Sequence, residues 1–152
     1  MNKLMYNRGL VAMFSISLFC SIFLLHNDAE LIGWPKFIGL VFLGTGTFIR
    51  YWTYFLTRPY FSKDTKQQKL PLLSHGPYRF TRHPFHFGFF LLSSGLCLYI
   101  SGHWFSLFLA FALIGSALHS RMSLEESQFQ QHYGDIYQYW CRHRFRLLPF
   151  IY

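Results

Sequence analysis

An all-α membrane bundle, with about four transmembrane helices and a C-terminal amphipathic helix, is the fold class this sequence predicts. Three observations predict it. Only 13% of the residues are charged, about half the share a water-soluble domain carries, so the chain lacks the polar surface to cover itself. The apolar residues, 19 phenylalanines among them, fall in long runs. The Lys and Arg residues gather in alternate connections between those runs, the pattern of a multi-pass membrane protein.

The first run extends from about Leu10 to Leu25, and the second from about Leu31 to Ile49 and on to Leu56. The third is Pro84 to Ser101, and the fourth Trp104 to about Leu118. Crossing a bilayer core takes about 17–25 apolar helical residues, so the first and fourth are short but sufficient. Lys3 and Arg8 before an apolar stretch are how a secretion signal opens. Leu24-Leu25-His26-Asn27-Asp28 offers no small-residue cleavage pattern, so the first run reads as a retained helix. Residues 1–152 read as a single membrane domain.

Lys3 and Arg8 precede the first run, Arg58, Lys63, Lys66, Lys69, Arg79 and Arg82 separate the second from the third, and Arg121, Arg142, Arg144 and Arg146 follow the fourth. The other two connections, His26 to Glu30 and Gly102-His103, carry no Lys or Arg. Because basic loops stay cytoplasmic, both termini and the middle loop are expected on that side of a bacterial inner membrane or ER-type membrane. The same distribution argues against nucleic acid as the partner of the +8 net charge, since the basic residues line no single polar face. Lys36 can snorkel outward, and Arg50 either snorkels inward or pairs within the bundle. The loop from Thr57 to Arg82 holds Pro59, Pro71, Gly76 and Pro77 and reads as irregular.

In the tail, Ser123-Leu124-Glu125-Glu126 fits a capping box. Leu124, Phe129, Tyr133, Ile136, Tyr137 and Trp140 then recur at helical spacing, so an amphipathic helix is expected over Ser123 to Arg144, docked on the bundle or lying in the interface. Cys20, Cys97 and Cys141 have no zinc or disulfide spacing. His83 and His86, at i and i+3, can ligate a metal together with a carboxylate. Nothing else in the sequence has metal-site spacing, and no metal is predicted.

Two clusters carry the chemistry. Gly76 to Gly88 leads into the third run, and Arg121 to Pro149 follows the fourth. Since only two residues join these runs, they form a tight hairpin whose open ends lie side by side. Arg82, His83 and His86 are thereby expected near Arg121, Glu125 and Glu126. Ionisable groups gathered at the mouth of a helix bundle are a candidate functional site. Singly, each also has a plain reading: positive anchors before a span, or acids at a helix N-terminus.

Gly76-x-Tyr78…Arg82-His83-Pro84-x-His86-x-Gly88 resembles the G-x-Y-x-x-x-R-H-P-x-Y-x-G signature of the isoprenylcysteine carboxyl methyltransferases and the related phospholipid N-methyltransferases. Glu125-Glu126, Phe129, Tyr133-Gly134, Tyr137, Trp140, Arg146 and Pro149 follow that family's second motif, and Arg121 matches an arginine before the glutamates. The resemblance covers residues 76–149. His86 departs from the usual Tyr, Trp140 from the second Tyr, and Phe129 and Tyr133 vary apolar positions. The resemblance implies an S-adenosylmethionine pocket at the cytoplasmic mouth, closed over by the C-terminal segment. His83, Pro84, Gly88, Glu126 and Tyr137 would stand around the cofactor, with Glu125 a second contact. A lipid or lipidated acceptor would enter from the bilayer.

A carboxylate acceptor is already ionised at neutral pH and needs only orientation, which the guanidinium forks of Arg82 and Arg121 can supply. A lipid amine needs a base, for which His86 or Glu125 is suited. The paired arginines favour the carboxylate, giving O-methylation of the isoprenylcysteine type, with phospholipid N-methylation as the alternative. An NADPH-dependent sterol or enone reductase and a non-enzymatic membrane adaptor are the other readings. Nothing in the sequence specifies an oligomer.

Overall fold

A helix that folds in water buries its large apolar side chains and exposes its polar ones. The helices here bury a few large apolar side chains, turn many more outward and place small hydroxyls inside. Ser17, Ser21, Ser93, Ser94, Ser101 and Ser106 are buried, whereas Phe19, Phe23, Phe48, Phe55, Phe105 and Phe108 are all more than half exposed. That arrangement suits hydrocarbon surroundings, where small interior residues let helices approach closely and outward aromatics meet lipid. Three of the buried hydroxyls are satisfied by their own helices: Ser21 donates to the Ser17 carbonyl at 2.9 Å, Ser93 to Phe89 at 2.7 Å and Ser101 to Cys97 at 2.9 Å.

The computed structural model describes residues 3–27, 33–62 and 72–147. Five α-helices occupy them: α1 (Lys3–Asn27), α2 (Trp34–Ser62), α3 (Pro84–Ser101), α4 (Trp104–Tyr133) and α5 (Asp135–Cys141), with a 3₁₀ turn at Gly76–Arg79 before α3. The all-α membrane bundle is thus observed. Helices α1, α3 and α4 contain stretches long and apolar enough to cross a membrane. α2 was expected as a fourth, and at 29 residues it has the length. Lys36, Arg50 and a Gly44-Thr45-Gly46-Thr47 run dilute its apolarity. It extends through Pro59 to Ser62, into the stretch expected to be irregular. The Lys63, Lys66, Lys69, Pro71 and Pro149 readings, and the side chain of Lys3, lie outside the described residues.

α2 and α3 run antiparallel along a glycine seam. A Cβ added at Gly46 would stand 2.5 Å from the Leu92 backbone nitrogen and 2.7 Å from the Gly88 oxygen, and one added at Gly95 would stand 2.7 Å from the Gly39 oxygen. These are backbone contacts, which cannot swing aside. Gly44, two positions from Gly46, has nothing within 4 Å. Gly46→Leu is therefore expected to destabilise the bundle by about 3 kcal/mol, the upper part of the overpacking range, and Gly44→Leu to leave it nearly unchanged. Thermal melts of the two variants in detergent check this.

α3 turns into α4 through Gly102, whose φ of 69° is left-handed and whose N–H caps the Leu98 carbonyl at 2.9 Å. Ser106 closes the turn by donating to the His103 carbonyl at 2.8 Å, with Ser101 Oγ 2.5 Å away. α1 lies against this hairpin, with Ser17 Oγ 3.3 Å from Cys97 Sγ. Asn7 accepts from Arg121, so the start of α1, the end of α2, the start of α3 and the far part of α4 share one end. Phe90, Ile114, Leu118 and Met122 fill the core between them, joined by Leu147 from the tail.

The predicted break after Leu118 is absent. α4 runs unbroken to Tyr133, and Ser123 is no N-cap: its hydroxyl donates to the His119 carbonyl one turn earlier, at 3.0 Å. No Gly or Pro interrupts 116–133, so nothing stops the helix until Gly134, at φ 57°. The expected tail helix is thus the last turns of α4 followed by the separate α5, and α4 projects beyond its apolar stretch.

Candidate active site

The chain enters α3 through Pro84, the first helical residue, where a missing N–H leaves nothing unsatisfied. The residues just before it are extended and pair with the returning tail. The N–H of Arg82 donates to the Phe145 carbonyl at 2.8 Å, and that of Phe145 to the Phe80 carbonyl at 3.0 Å. The Arg82 side chain extends this clamp, with Nε on the Arg144 carbonyl and Nη2 on the Cys141 carbonyl, both at 3.0 Å. Arg144 answers by donating from Nε to the Tyr78 carbonyl at 2.9 Å. In this way the tail is fastened across the mouth of the bundle.

Glu125 and Glu126 are neighbours on α4, and neighbours on a helix point about 100° apart. They serve different sides of one network. Glu125 Oε2 lies 2.9 Å from His86 Nε2 and 3.5 Å from His83 Nδ1, while its Oε1 accepts from Arg121 Nε at 3.1 Å. Glu126 Oε1 lies 3.4 Å from both Arg82 Nη1 and His83 Nε2, and its Oε2 is 3.1 Å from Arg146 Nε. His83, only 7% exposed, bridges the two carboxylates. The two imidazole rings stack at 5.6 Å.

Burial disfavours a charged His83, but its hydrogen bonds to Glu125 and Glu126 outweigh it, and the pKa of His83 is raised. Burial pushes the Tyr78 phenol up to about 12, with the Glu125 charge adding to the effect. Tyr137 is raised as well, by burial first and then by its hydrogen bond with Cys141. Both phenols therefore stay neutral and serve as hydrogen-bonding, stacking groups. Tyr137 stacks between Phe129, at 5.6 Å, and Trp140, at 5.8 Å, and the Trp140 indole is anchored by donating to the Leu73 carbonyl at 3.1 Å.

Between these groups and α2 lies a cleft of about 680 Å³. Of the residues singled out from sequence, Arg82, His83, His86, Arg121, Glu125 and Tyr137 line it. Glu126 lines a shallower adjoining hollow of about 440 Å³ that shares Arg82 and Tyr137 with the cleft. Pro84 and Gly88 line neither. Pro84 is buried at the helix start, and Gly88 faces α2, where a Cβ would meet Arg50 Cγ at 2.7 Å.

The α2 wall was not foreseen. Thr53, Tyr54, Thr57 and Arg58 come from it, and their i, i+1, i+4, i+5 spacing is the one sequence signal that marked a shared face. Arg50, whose partner the sequence left open, lies with its guanidinium 4.1 Å from the Phe85 ring centre and 5.4 Å from that of Phe89. Cation–π contacts of this kind satisfy a charge inside an apolar bundle. The fold also brings Glu125 to the His83–His86 pair, so that one ligand atom of each lies within 4.8 Å of the others.

The model of the phospholipid methyltransferase family matches residues 34–136, about two thirds of the chain. The match begins where α2 begins and ends within α5, so it takes in α2, α3 and α4 and stops just short of Tyr137 and Trp140, which α5 brings to the cleft. No curated protein and no solved structure matches the chain. With a family match of this extent over a membrane bundle, the chain belongs to the phospholipid methyltransferase family and is a membrane methyltransferase.

Proposed function

We propose that the protein transfers a methyl group from S-adenosylmethionine to an anionic, lipidic acceptor, with a carboxylate of the isoprenylcysteine kind as the leading candidate. One observation carries the choice of acceptor: among the charged residues lining the cleft, Arg58, Arg82 and Arg121 stand against the single carboxylate Glu125. Such a surplus draws in an anion. A carboxylate needs no base, so orientation is the main demand on the protein. Arg82 contributes indirectly, since its fork is occupied by the tail carbonyls. Arg58, and Arg121 beyond its bonds to Glu125 and Asn7, are better placed to hold the acceptor.

The residues suit the methyl donor. Tyr137, Phe129 and Trp140 offer stacked aromatic faces for a planar base and a sulfonium. Glu126 and Glu125 offer carboxylates for its ammonium. Pro84 and Gly88 act through position, by starting α3 and by letting α2 approach. When bound, the donor would supply a methyl group on a cationic sulfur, the methyl carbon bonding to the acceptor oxygen as its bond to sulfur breaks and the neutral thioether leaves. His83 keeps both carboxylates oriented, and Tyr78 and Trp140 help to exclude water.

We further infer that residues 1–152 act as one membrane domain, with both termini and the cleft facing the cytoplasm. Arg58, Arg82 and Arg121, the start of α1 and the tail all gather at the cleft end. A polar donor then enters from the cytosol, and a lipid enters between α2 and the bilayer.

Methylation of a phospholipid amine is the second reading. It is favoured by the 2.9 Å His86–Glu125 contact, a base pair able to take an ammonium proton. Membranes containing the protein, given methyl-labelled S-adenosylmethionine, distinguish the two. Label released as methanol by mild alkali marks an ester, and alkali-stable label in a headgroup marks the amine. A label-free lipid fraction with active donor binding would count against both.

A further inference from the structure

We propose that His83, His86 and Glu125 form a binding site for one divalent transition-metal ion of the zinc class, open on its fourth side to the cleft. The donor atoms are His83 Nδ1, His86 Nε2 and Glu125 Oε2. The carboxylate oxygen stands 3.5 and 2.9 Å from the two nitrogens, and one ligand atom from each of the three residues lies within 4.8 Å of the others. Tetrahedral zinc with bonds of about 2.0–2.2 Å holds its ligand atoms roughly 3.4 Å apart, and the observed spacings bracket that value. Two imidazoles and one carboxylate with a vacant position are the ligand set of a reactive zinc site rather than a closed structural one.

The outer contacts set this cluster apart from an ordinary hydrogen-bonded knot. A ligating histidine is normally oriented through its other nitrogen by a carboxylate, and a ligating carboxylate is itself hydrogen-bonded. Both conditions are met at His83 and Glu125. His83 Nε2 is 3.4 Å from Glu126 Oε1, and Glu125 Oε1 accepts from Arg121 Nε at 3.1 Å. The oxygen and nitrogen left facing inward are the ones a cation would join. Two neutral imidazoles and one carboxylate would leave a net positive ion, and Glu126 lies close enough to offset part of that charge. His86, whose place the resembling family gives to Tyr, supplies one of the three ligands. The ion's vacant side would suit an anionic oxygen or a thiolate, so it can help hold the acceptor. That role rests on the methyl-transfer reading, whereas metal binding itself does not.

The test uses the full-length protein in detergent, stripped with chelator and titrated with cobalt(II) and then zinc(II). One cobalt ion per chain is expected to bind, giving visible absorption bands that zinc abolishes. His86→Tyr and Glu125→Gln are each expected to weaken binding by about 100-fold or more, and His143→Ala, at an exposed histidine away from the site, to leave it unchanged. A thermal melt in chelator shows that each variant is folded. If one is not, the other decides. Failure of the chain to take up one ion, or equal affinity in wild type, His86→Tyr and Glu125→Gln, overturns the site. S-adenosylmethionine is titrated separately into the stripped protein, so the metal site can fail while the donor reading stands, and the reverse.

Discussion

Glu126→Ala is expected to weaken S-adenosylmethionine binding by about 30–100-fold and to lower the melting temperature at the same time. The carboxylate is within 3.4 Å of Arg82 and His83 and 3.1 Å from Arg146. Its removal leaves three cationic or ionisable groups facing one another around a small hole. A hydrogen bond to a charged group contributes about 1.5–3 kcal/mol, about 10–150-fold in affinity, and the stated loss falls within that range. Glu126→Gln keeps the shape and one acceptor oxygen, so it is expected to fall between wild type and alanine. Isothermal titration of the three proteins with the methyl donor checks the order. Equal affinity in all three would remove Glu126 from the site.

Arg82→Lys is expected to reduce methyl transfer by about 100-fold or more, although the charge is kept. The guanidinium binds three partners in three directions: the Arg144 carbonyl, the Cys141 carbonyl and Glu126. A lysine ammonium is a single point on a flexible stem and cannot reproduce that fork. With the tail loosened, Tyr137 and Trp140 lose the support that seats them in the cleft. Limited proteolysis should therefore cut the variant within residues 141–147 much faster than the wild type, and activity should fall in parallel. The two effects share a network, so Arg82→Lys combined with Glu126→Gln is expected to lose less than the two single losses added together. Unchanged proteolysis with lost activity would instead mean that Arg82 touches the acceptor directly.

The parts of this molecule that follow from run length and charge were legible in the sequence. The two-residue turn at Gly102-His103 forces a hairpin, and the hairpin brings residues 82–86 to residues 121–126. What periodicity cannot supply is the direction of each side chain. Glu125 and Glu126 read alike along the chain, yet one faces the cleft and the other the tail. Gly88 stands inside the motif, but it serves the seam with α2 rather than the cleft. Ser123 had the spacing of a cap, and only the absence of any breaker from 116 to 133 showed that the helix would run on. The α2 wall escaped because Thr53, Thr57 and Arg58 carry no chemistry of their own until α3 is laid beside them. The proposed metal site draws its third ligand from 39 positions away from His86, beyond any local spacing rule.

The central claim is that the cleft behind the tail holds the methyl donor. Equilibrium titration of the detergent-purified protein with S-adenosylmethionine, and in parallel with NADPH, tests it most directly. Saturable binding of one S-adenosylmethionine per chain, weakened in Glu126→Ala, with no binding of NADPH, is the predicted result. A folded protein that binds NADPH, or that fails to bind S-adenosylmethionine, would contradict it.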